Sequence, residues 1–342
     1  MTEDVLPYGV GAVFDALLAR GETEKACALA MELATMLLKQ DPELYRAELW
    51  KRYFSRLDRH YIAQYQSYDF EIADYKMFAF GKRSGQLFRG PKPSTADLAS
   101  GNYFTVFGAA QLLGRYHRTT FCDRLSDALG VPFLNLSYGG AGPEFYSGNE
   151  EMIIAANNGK ALVLQVMSGR SVGCEEYPGM RMTARAGSGD VPEDRIALLN
   201  RIWGDDRAEA LRLVRKWQPI YLAAMQALMA RITVPIFLVW ISDRSPGGWT
   251  AEVIAETADF GSFPQLVDAG MVQTLVAGAH QYIELPPDPQ PEFKLTSRLT
   301  GKNCPFFWPE GTMGFTNKYY PSEQPQIDLA VALQDTLPNV LG

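Results

Sequence analysis

Tyr103–Arg115 reads YFTVFGAAQLLGR, an apolar run of six residues that ends on a glycine and passes into a polar, Gly-bounded turn. A run this short, rich in aromatic and β-branched residues, is a strand rather than a helix. The segment that follows, Thr119–Leu129, has helical spacing. The same pairing repeats downstream. Pro132–Leu136 (PFLNL) leads into a helix over Gly148–Asn157, and Ala161–Met167 (ALVLQVM) into a long helical stretch. Ile236–Ile241 (IFLVWI) leads into a helical segment around Gln265–Val276, then come a short strand at Gln281–Leu285 and a final helix near Gln326–Leu337. Short, wholly apolar strands alternating with helices imply a parallel sheet covered on both faces. The expected fold class is therefore α/β, a three-layer α/β/α flavodoxin-like sheet with an N-terminal helical extension. Ligands on such sheets bind outside the carboxyl ends of the strands.

Toward the N-terminus, apolar residues recur at helical spacing from Val10 to Lys39, interrupted by Gly21 and stopped by Asp41-Pro42. This predicts a helical hairpin. The segment GETEKACALA, running on to DPE, resembles one tetratricopeptide unit, but no second copy follows at a period of about 34 residues, so a helix pair docked on a larger domain is the better reading. Aromatic residues crowd Tyr45–Phe80, and GKRSGQLFRGPKP carries the Gly, Pro and Ser punctuation of a connector. The expected domains are 1–93, a helical extension with connector, and 94–342, the α/β domain. Lys82-Arg83-Ser84-Gly85 has neither the spacing nor the strand-to-helix context of a phosphate loop.

The 342 residues are 47% hydrophobic and 21% charged, which is ordinary globular usage. A formal net charge of -7 opposes a broad nucleic-acid or anionic-lipid footprint. Cys27, Cys122, Cys174 and Cys304 form no C-x-x-C pair, which opposes a zinc site and a disulfide scaffold. MTEDVLPYGV lacks the features of a signal peptide, and no apolar run approaches about 18 residues. The expectation is a cytoplasmic protein without membrane insertion or bound metal. No cofactor and no oligomeric state can be read from the sequence.

The polar residues fall where the strands end. They are GAAQLLG (Gly108–Gly114), NLSYGGAGP (Asn135–Pro143), SGRS (Ser168–Ser171), SDRS (Ser242–Ser245) and, before the last helix, NKYYPS (Asn317–Ser322). In order and placement these segments resemble the blocks of the SGNH-hydrolase superfamily: G-D-S-x-x-x-G, a glycine, G-x-N-D and D-x-x-H-P. The resemblance runs from Tyr103 to the C-terminus and implies that superfamily's fold. It also puts Ala109 in place of the aspartate, Ala110 in place of the nucleophilic serine, Tyr320 in place of the histidine base and Asn317 in place of its orienting aspartate. The usual Ser-His-Asp chemistry is thus replaced. The same substitutions resemble an uncharacterised bacterial domain-of-unknown-function family associated with surface polysaccharides, which carries a sulfotransferase label.

Arg115, Arg170 and Arg244 follow the first, third and fourth strands and are placed to converge on one mouth. Guanidinium forks bind carboxylate, sulfate and phosphate bidentately. Alternatively, each pairs with a nearby carboxylate such as Asp123, Glu144 or Asp243. Gly139 and Gly140 present backbone donors to an anionic oxygen. Gln111, Asn135, Ser171, Asn317 and Tyr320 add neutral hydrogen-bonding groups, although any of them can instead cap a helix or satisfy a loop. Asp243 and His117 are the candidate bases; Cys174 has no assigned base. Three readings follow: an enzyme that transfers a group to, or hydrolyses, an acidic glycan or glycoconjugate; a non-catalytic protein binding an acidic saccharide or other small anion; and sulfuryl transfer from a nucleotide donor.

Overall fold

The computed structural model describes residues 10–40, 56, 69–81, 86–172, 179–180, 183–184, 195–250, 253–254, 260, 262–290, 292–307 and 313–340. Two compact units divide the chain. The first comprises Met1–Lys92, Tyr116–Arg118 and Glu292–Lys318; the second comprises Pro93–Arg115, Thr119–Pro291 and Tyr319–Gly342.

In the first unit, helices α1 (Val10–Ala19) and α2 (Thr23–Gln40) form the hairpin that Gly21 predicts. The buried stripe of α2, Ala26, Cys27, Ala30, Leu33, Ala34 and Leu37, packs with Phe14 and Leu17 of α1 and with Phe70, Tyr75, Met77, Ala79 and Leu87. The last residues of that set belong to, or flank, a two-stranded antiparallel ribbon, Phe78–Ala79 with Leu87–Phe88. A single helix pair thus buries its face on that ribbon instead of on a second helical repeat. Burial raises the Cys27 thiol to about 12, because ionising it would strand a charge among apolar side chains. Lys82–Gly85, Cys174 and most of Tyr45–Phe80 lie outside the described residues.

The second unit holds the sheet. Its strands are β1 (Phe104–Phe107), β2 (Phe133–Asn135), β3 (Leu162–Gln165), β4 (Ile236–Trp240) and β5 (Gln281–Glu284). They lie in the order β2-β1-β3-β4-β5, and every pairing is parallel. This is the 2-1-3-4-5 order of flavodoxin-like sheets. The helices of this unit include α3 (Phe121–Leu129), α4 (Glu150–Asn158), α5 (Arg207–Ala230), α6 (Ala269–Val276) and α7 (Gln324–Gln334).

Alternation along the strands sorts the layers. Phe104 and Val106, Phe133, Val163, Phe237 and Val239, and Ile283 share one buried cluster with Phe121 and Leu125 of α3 and Leu329 and Leu333 of α7. Each such side chain fully removed from water contributes about 1.5–3 kcal/mol. Opposite them, Thr105 reaches α4 through its hydroxyl, which donates to Ala155 O at 3.5 Å. Tyr221 of α5 donates to Met167 O, just past β3, at 2.6 Å.

Local signals set the helix ends. Thr120 and Asp123 form the capping box in front of α3: the Thr120 hydroxyl accepts from Asp123 N, and the Asp123 carboxylate accepts from Thr120 N at 2.7 Å. The Asp268 side chain caps α6 by accepting from Met271 N at 2.9 Å. That cap moves the start of α6 to Ala269 and leaves Gln265, expected in the helix, in the preceding loop. Among the described residues, no helix is long and apolar enough to cross a membrane.

Candidate functional site

In a 2-1-3-4-5 sheet the crevice lies at the carboxyl ends of β1 and β3, from which the chain leaves in opposite directions. These two ends are stitched together by a residue the sequence reading passed over. Gln165, the last residue of β3, is fully buried. Its Oε1 accepts from Ala109 N at 2.7 Å, and its Nε2 donates to Gln111 Oε1 at 3.4 Å. A glutamine within ALVLQVM was the available signal, since a buried amide in an apolar strand must find partners. On the other side of β1, Tyr146 ties the ends of β1 and β2. Its hydroxyl accepts from Gly108 N at 3.0 Å and donates to Gly108 O at 2.6 Å, with Leu136 O at 3.1 Å.

Beyond β1 a single helical turn, Ala110–Leu113, closes at Gly114, and Arg115 follows, almost fully buried. Arg115 Nη1 donates to the Tyr320 hydroxyl at 2.7 Å, and its guanidinium carbon lies 4.8 Å from the Tyr320 ring centroid. Tyr319 meets Tyr320 edge to face, with centroids 5.0 Å apart at 89°. The Tyr319 hydroxyl accepts from Arg170 Nη2 at 3.2 Å and from Gln265 Nε2 at 3.0 Å. Arg115, Arg170 and Tyr320 are therefore brought together by the tyrosine pair that precedes the last helix. Arg170 itself is aimed by a short turn, Gly169–Ser171, in which Ser168 Oγ accepts from Arg170 N at 3.2 Å.

The other candidates take varied places. Gln111 is buried, and its carbonyl accepts from Gln326 Nε2 at 2.8 Å. Asn135 spends both ends of its amide within the fold, donating to Leu112 O at 3.2 Å and accepting from Ser137 N at 3.0 Å. Two residues on, Ser137 Oγ is buried with no hydrogen-bond partner among the described residues. Gly139 and Gly140 occupy a turn closed by Ala141 N donating to Tyr138 O at 2.9 Å, and Gly140 takes φ 74°, which a side chain would resist. Ser171 is buried.

Arg244 is engaged at the loop before α6. Its Nη2 donates to Pro264 O at 2.7 Å and Val267 O at 2.8 Å, and its guanidinium carbon is 5.0 Å from the Trp240 ring and 5.8 Å from that of Trp249. These contacts make it a brace for the loop before α6. Asp243 is exposed at the end of β4, its carboxylate 3.3 Å from Ser242 Oγ, whose proton goes to Phe263 O. Asp123, one of the carboxylates considered as an arginine partner, is engaged in its capping box.

His117 and Asn317 belong to the first unit. The carbonyl of His117 accepts from Arg89 Nη2 at 2.7 Å, and its ring faces Phe293 with centroids 6.1 Å apart. Asn317 is fully buried in the two-residue strand Thr316–Asn317, paired with Phe293–Lys294. Among the described residues, no group of three or more His, Cys, Asp or Glu side chains is arranged to hold a metal ion.

Ala110 opens the turn after β1 and is buried. The sheet unit contains one histidine, His280, which precedes β5 and so stands at the amino edge, opposite Ala110. A hydroxyl at position 110 would have no imidazole from this unit to take its proton. Ala110→Ser is therefore expected to leave hydrolysis of p-nitrophenyl acetate at the parent level, whereas serine-dependent turnover would reveal a base other than those described.

A family described as a domain of unknown function (DUF6473) matches residues 64–177, one third of the chain, a segment that contains β1, β2 and β3. Among solved structures, the chain is similar to a carbohydrate esterase family 2 enzyme with its carbohydrate-binding domain from Corynascus thermopiles (Myceliophthora fergusii). That likeness has 12% identity and a TM-score of 0.35, covering 74% of this chain and 68% of that one. A second similar structure is a carbohydrate esterase whose active site is described as displaying divergent catalytic and non-catalytic binding functions, at 12% identity and a TM-score of 0.31 over the same shares. A search of curated proteins returned no match.

Proposed function

We propose that the sheet unit is an SGNH-like domain that binds an acidic saccharide, or another small anionic ligand, at the carboxyl edge of its sheet without a serine nucleophile. The observation that carries this reading is that Arg115 and Arg170 donate to the hydroxyls of the consecutive residues Tyr320 and Tyr319, whose rings meet edge to face. Two guanidinium groups, each anchored on one of two consecutive tyrosines, offer charge-assisted donors, which suit a carboxylate or sulfate oxygen. The phenol rings and hydroxyls supply the apolar faces and neutral donors that a sugar ring needs. Backbone N–H groups of the Gly139–Gly140 turn fit the same role on the β2 side. Asp243 is an exposed carboxylate at a strand end. It therefore supports an enzymatic form of this reading, group transfer to the saccharide or its hydrolysis with Asp243 as base.

Arg170→Ala tests the binding. A charge-assisted contact is worth ~1.5–3 kcal/mol, so the variant should bind a uronic acid or a sulfated sugar roughly ten- to a hundredfold more weakly. A neutral sugar should bind parent and variant about equally. Calorimetry on folded protein decides the matter: equal losses for charged and neutral ligands would reduce Arg170 to a structural residue.

A further inference from the structure

We infer that Gln165 is a positioning residue that holds the Gln111 side chain with its Nε2 turned to the crevice, so that the turn after β1 offers a neutral donor to a ligand oxygen. The inference rests on the saccharide-binding reading above and adds to it a contact that is independent of ligand charge.

The two ends of an amide are told apart by their partners, and a backbone N–H, which can only donate, fixes the choice at Gln165. Ala109 N donates to one end of this amide at 2.7 Å, so that end is Oε1 and the other is the NH2 group. The Gln111 atom that faces Gln165 Nε2 at 3.4 Å must then accept, which makes it Oε1 and turns Gln111 Nε2 away from Gln165. A flipped Gln111 would set two NH2 groups against each other. Gly108 makes room for the arrangement: a Cβ there would lie 2.6 Å from Gln165 Oε1 and 3.0 Å from Leu112 Cβ.

The turn that carries Gln111 is held as firmly. Its carbonyls at Gln111 and Leu112 accept from Gln326 Nε2 at 2.8 Å and from Asn135 Nδ2 at 3.2 Å. The oxygen ends of those two amides accept in turn from Phe121 N at 3.1 Å and Ser137 N at 3.0 Å. The amides of Gln165, Gln326 and Asn135 are thus engaged at both ends, whereas Gln111 is engaged only at its oxygen. Gln111 is 4% exposed, yet its Nε2 bonds to none of the described residues and is not sealed from solvent. A donor held in one orientation at a crevice is matched by an acceptor and not by a second donor, and a few such fixed polar groups are what orient a small ligand. A sugar hydroxyl, ring oxygen or carboxylate oxygen lying over the end of β1 supplies that acceptor.

The test measures affinities for glucuronate and for glucose by calorimetry, and follows the isotope-labelled glutamine side chains by NMR. Gln111→Met keeps the volume and removes a neutral donor, so both affinities should fall about equally, roughly three- to tenfold. Arg170→Ala, in contrast, should weaken glucuronate alone. Gln165→Met should act in the same direction as Gln111→Met by releasing the Gln111 amide. The double variant should lose no more than Gln111→Met, because two residues that act through one contact are not additive. Losses that add would mean that Gln165 acts on the fold and not through Gln111, which overturns its assignment. In the parent protein the Gln111 Nε2 resonance should move on saturation with either sugar, while the Gln165 Nε2 hydrogens stay protected from exchange; this readout stands even where a methionine variant does not fold. A Gln111 resonance that keeps its place at saturation, or a Gln111→Met variant that binds both sugars like the parent, overturns the inference, and the anion reading then survives alone if Arg170→Ala has lost glucuronate. If Arg170→Ala keeps glucuronate while Gln111→Met loses both sugars, the charge assignment fails and the Gln111 contact stands. A parent protein that binds neither sugar ends both.

Discussion

Replacing Tyr146 by Phe should destabilise the protein by ~2–4 kcal/mol although only one oxygen is removed. The ring stays: its stack on Phe107, with centroids 4.2 Å apart at 15°, and its edge contact with Phe145 at 5.0 Å are available to phenylalanine. What disappears is the acceptor for Gly108 N and the donor shared by Gly108 O and Leu136 O. Gly108 O keeps its bond from Tyr138 N at 2.9 Å, but Gly108 N and Leu136 O lose this partner at the buried carboxyl ends of two adjacent strands, where an unpaired backbone donor or acceptor costs about 1–3 kcal/mol. Burial also holds the Tyr146 phenol well above its usual range, so it stays protonated and the arrangement is insensitive to pH near neutrality. The denaturant midpoint should fall with an unchanged slope, the mark of lost stability without a change in exposed surface. Equal midpoints for parent and variant would mean that the hydroxyl does not bridge the strand ends.

Arg244→Ala should be more damaging, at ~3–5 kcal/mol, and the loss should fall on folding before ligand binding. The guanidinium lies within cation–π range of two indole rings while bonding two loop carbonyls. Truncation removes charge-assisted bonds worth about 1.5–3 kcal/mol each and a cation–π contact worth about 0.5–2 kcal/mol. The neighbourhood is cross-braced: Trp240 Nε1 donates to Arg244 O at 2.8 Å, and Ser242 Oγ donates to Phe263 O. Lysine cannot reproduce the planar fork, so Arg244→Lys should recover little. Thermal unfolding of the two variants beside Arg170→Ala separates the roles: a large drop for Arg244 and a small one for Arg170. If Arg244→Ala unfolds like the parent, the loop before α6 does not depend on this brace.

The sequence by itself determined the strand-and-helix alternation, the parallel sheet and the segments that form its carboxyl edge. These follow from local rules: apolar runs too short for helices, Thr120 and Asp123 spaced for a capping box, and glycines where a turn needs positive φ. Tertiary structure alone decided which polar groups meet. All three arginines follow strands in the same way, yet Arg115 and Arg170 reach the tyrosine pair while Arg244 turns to the loop before α6. His117 sits only two residues past Arg115, yet it belongs to the other unit, with the chain at φ 71° at Tyr116 and Tyr116 N donating to the Tyr75 hydroxyl at 3.0 Å. Gln165, Gln265 and Tyr146 look like ordinary members of a strand, a loop and a short helix. Their roles depend on partners 10 to 56 residues away. Side-chain hydrogen bonds over such separations are fixed by how strands and loops pack, so no local pattern announces them, and the burial that packing imposes is what makes each of those bonds obligatory.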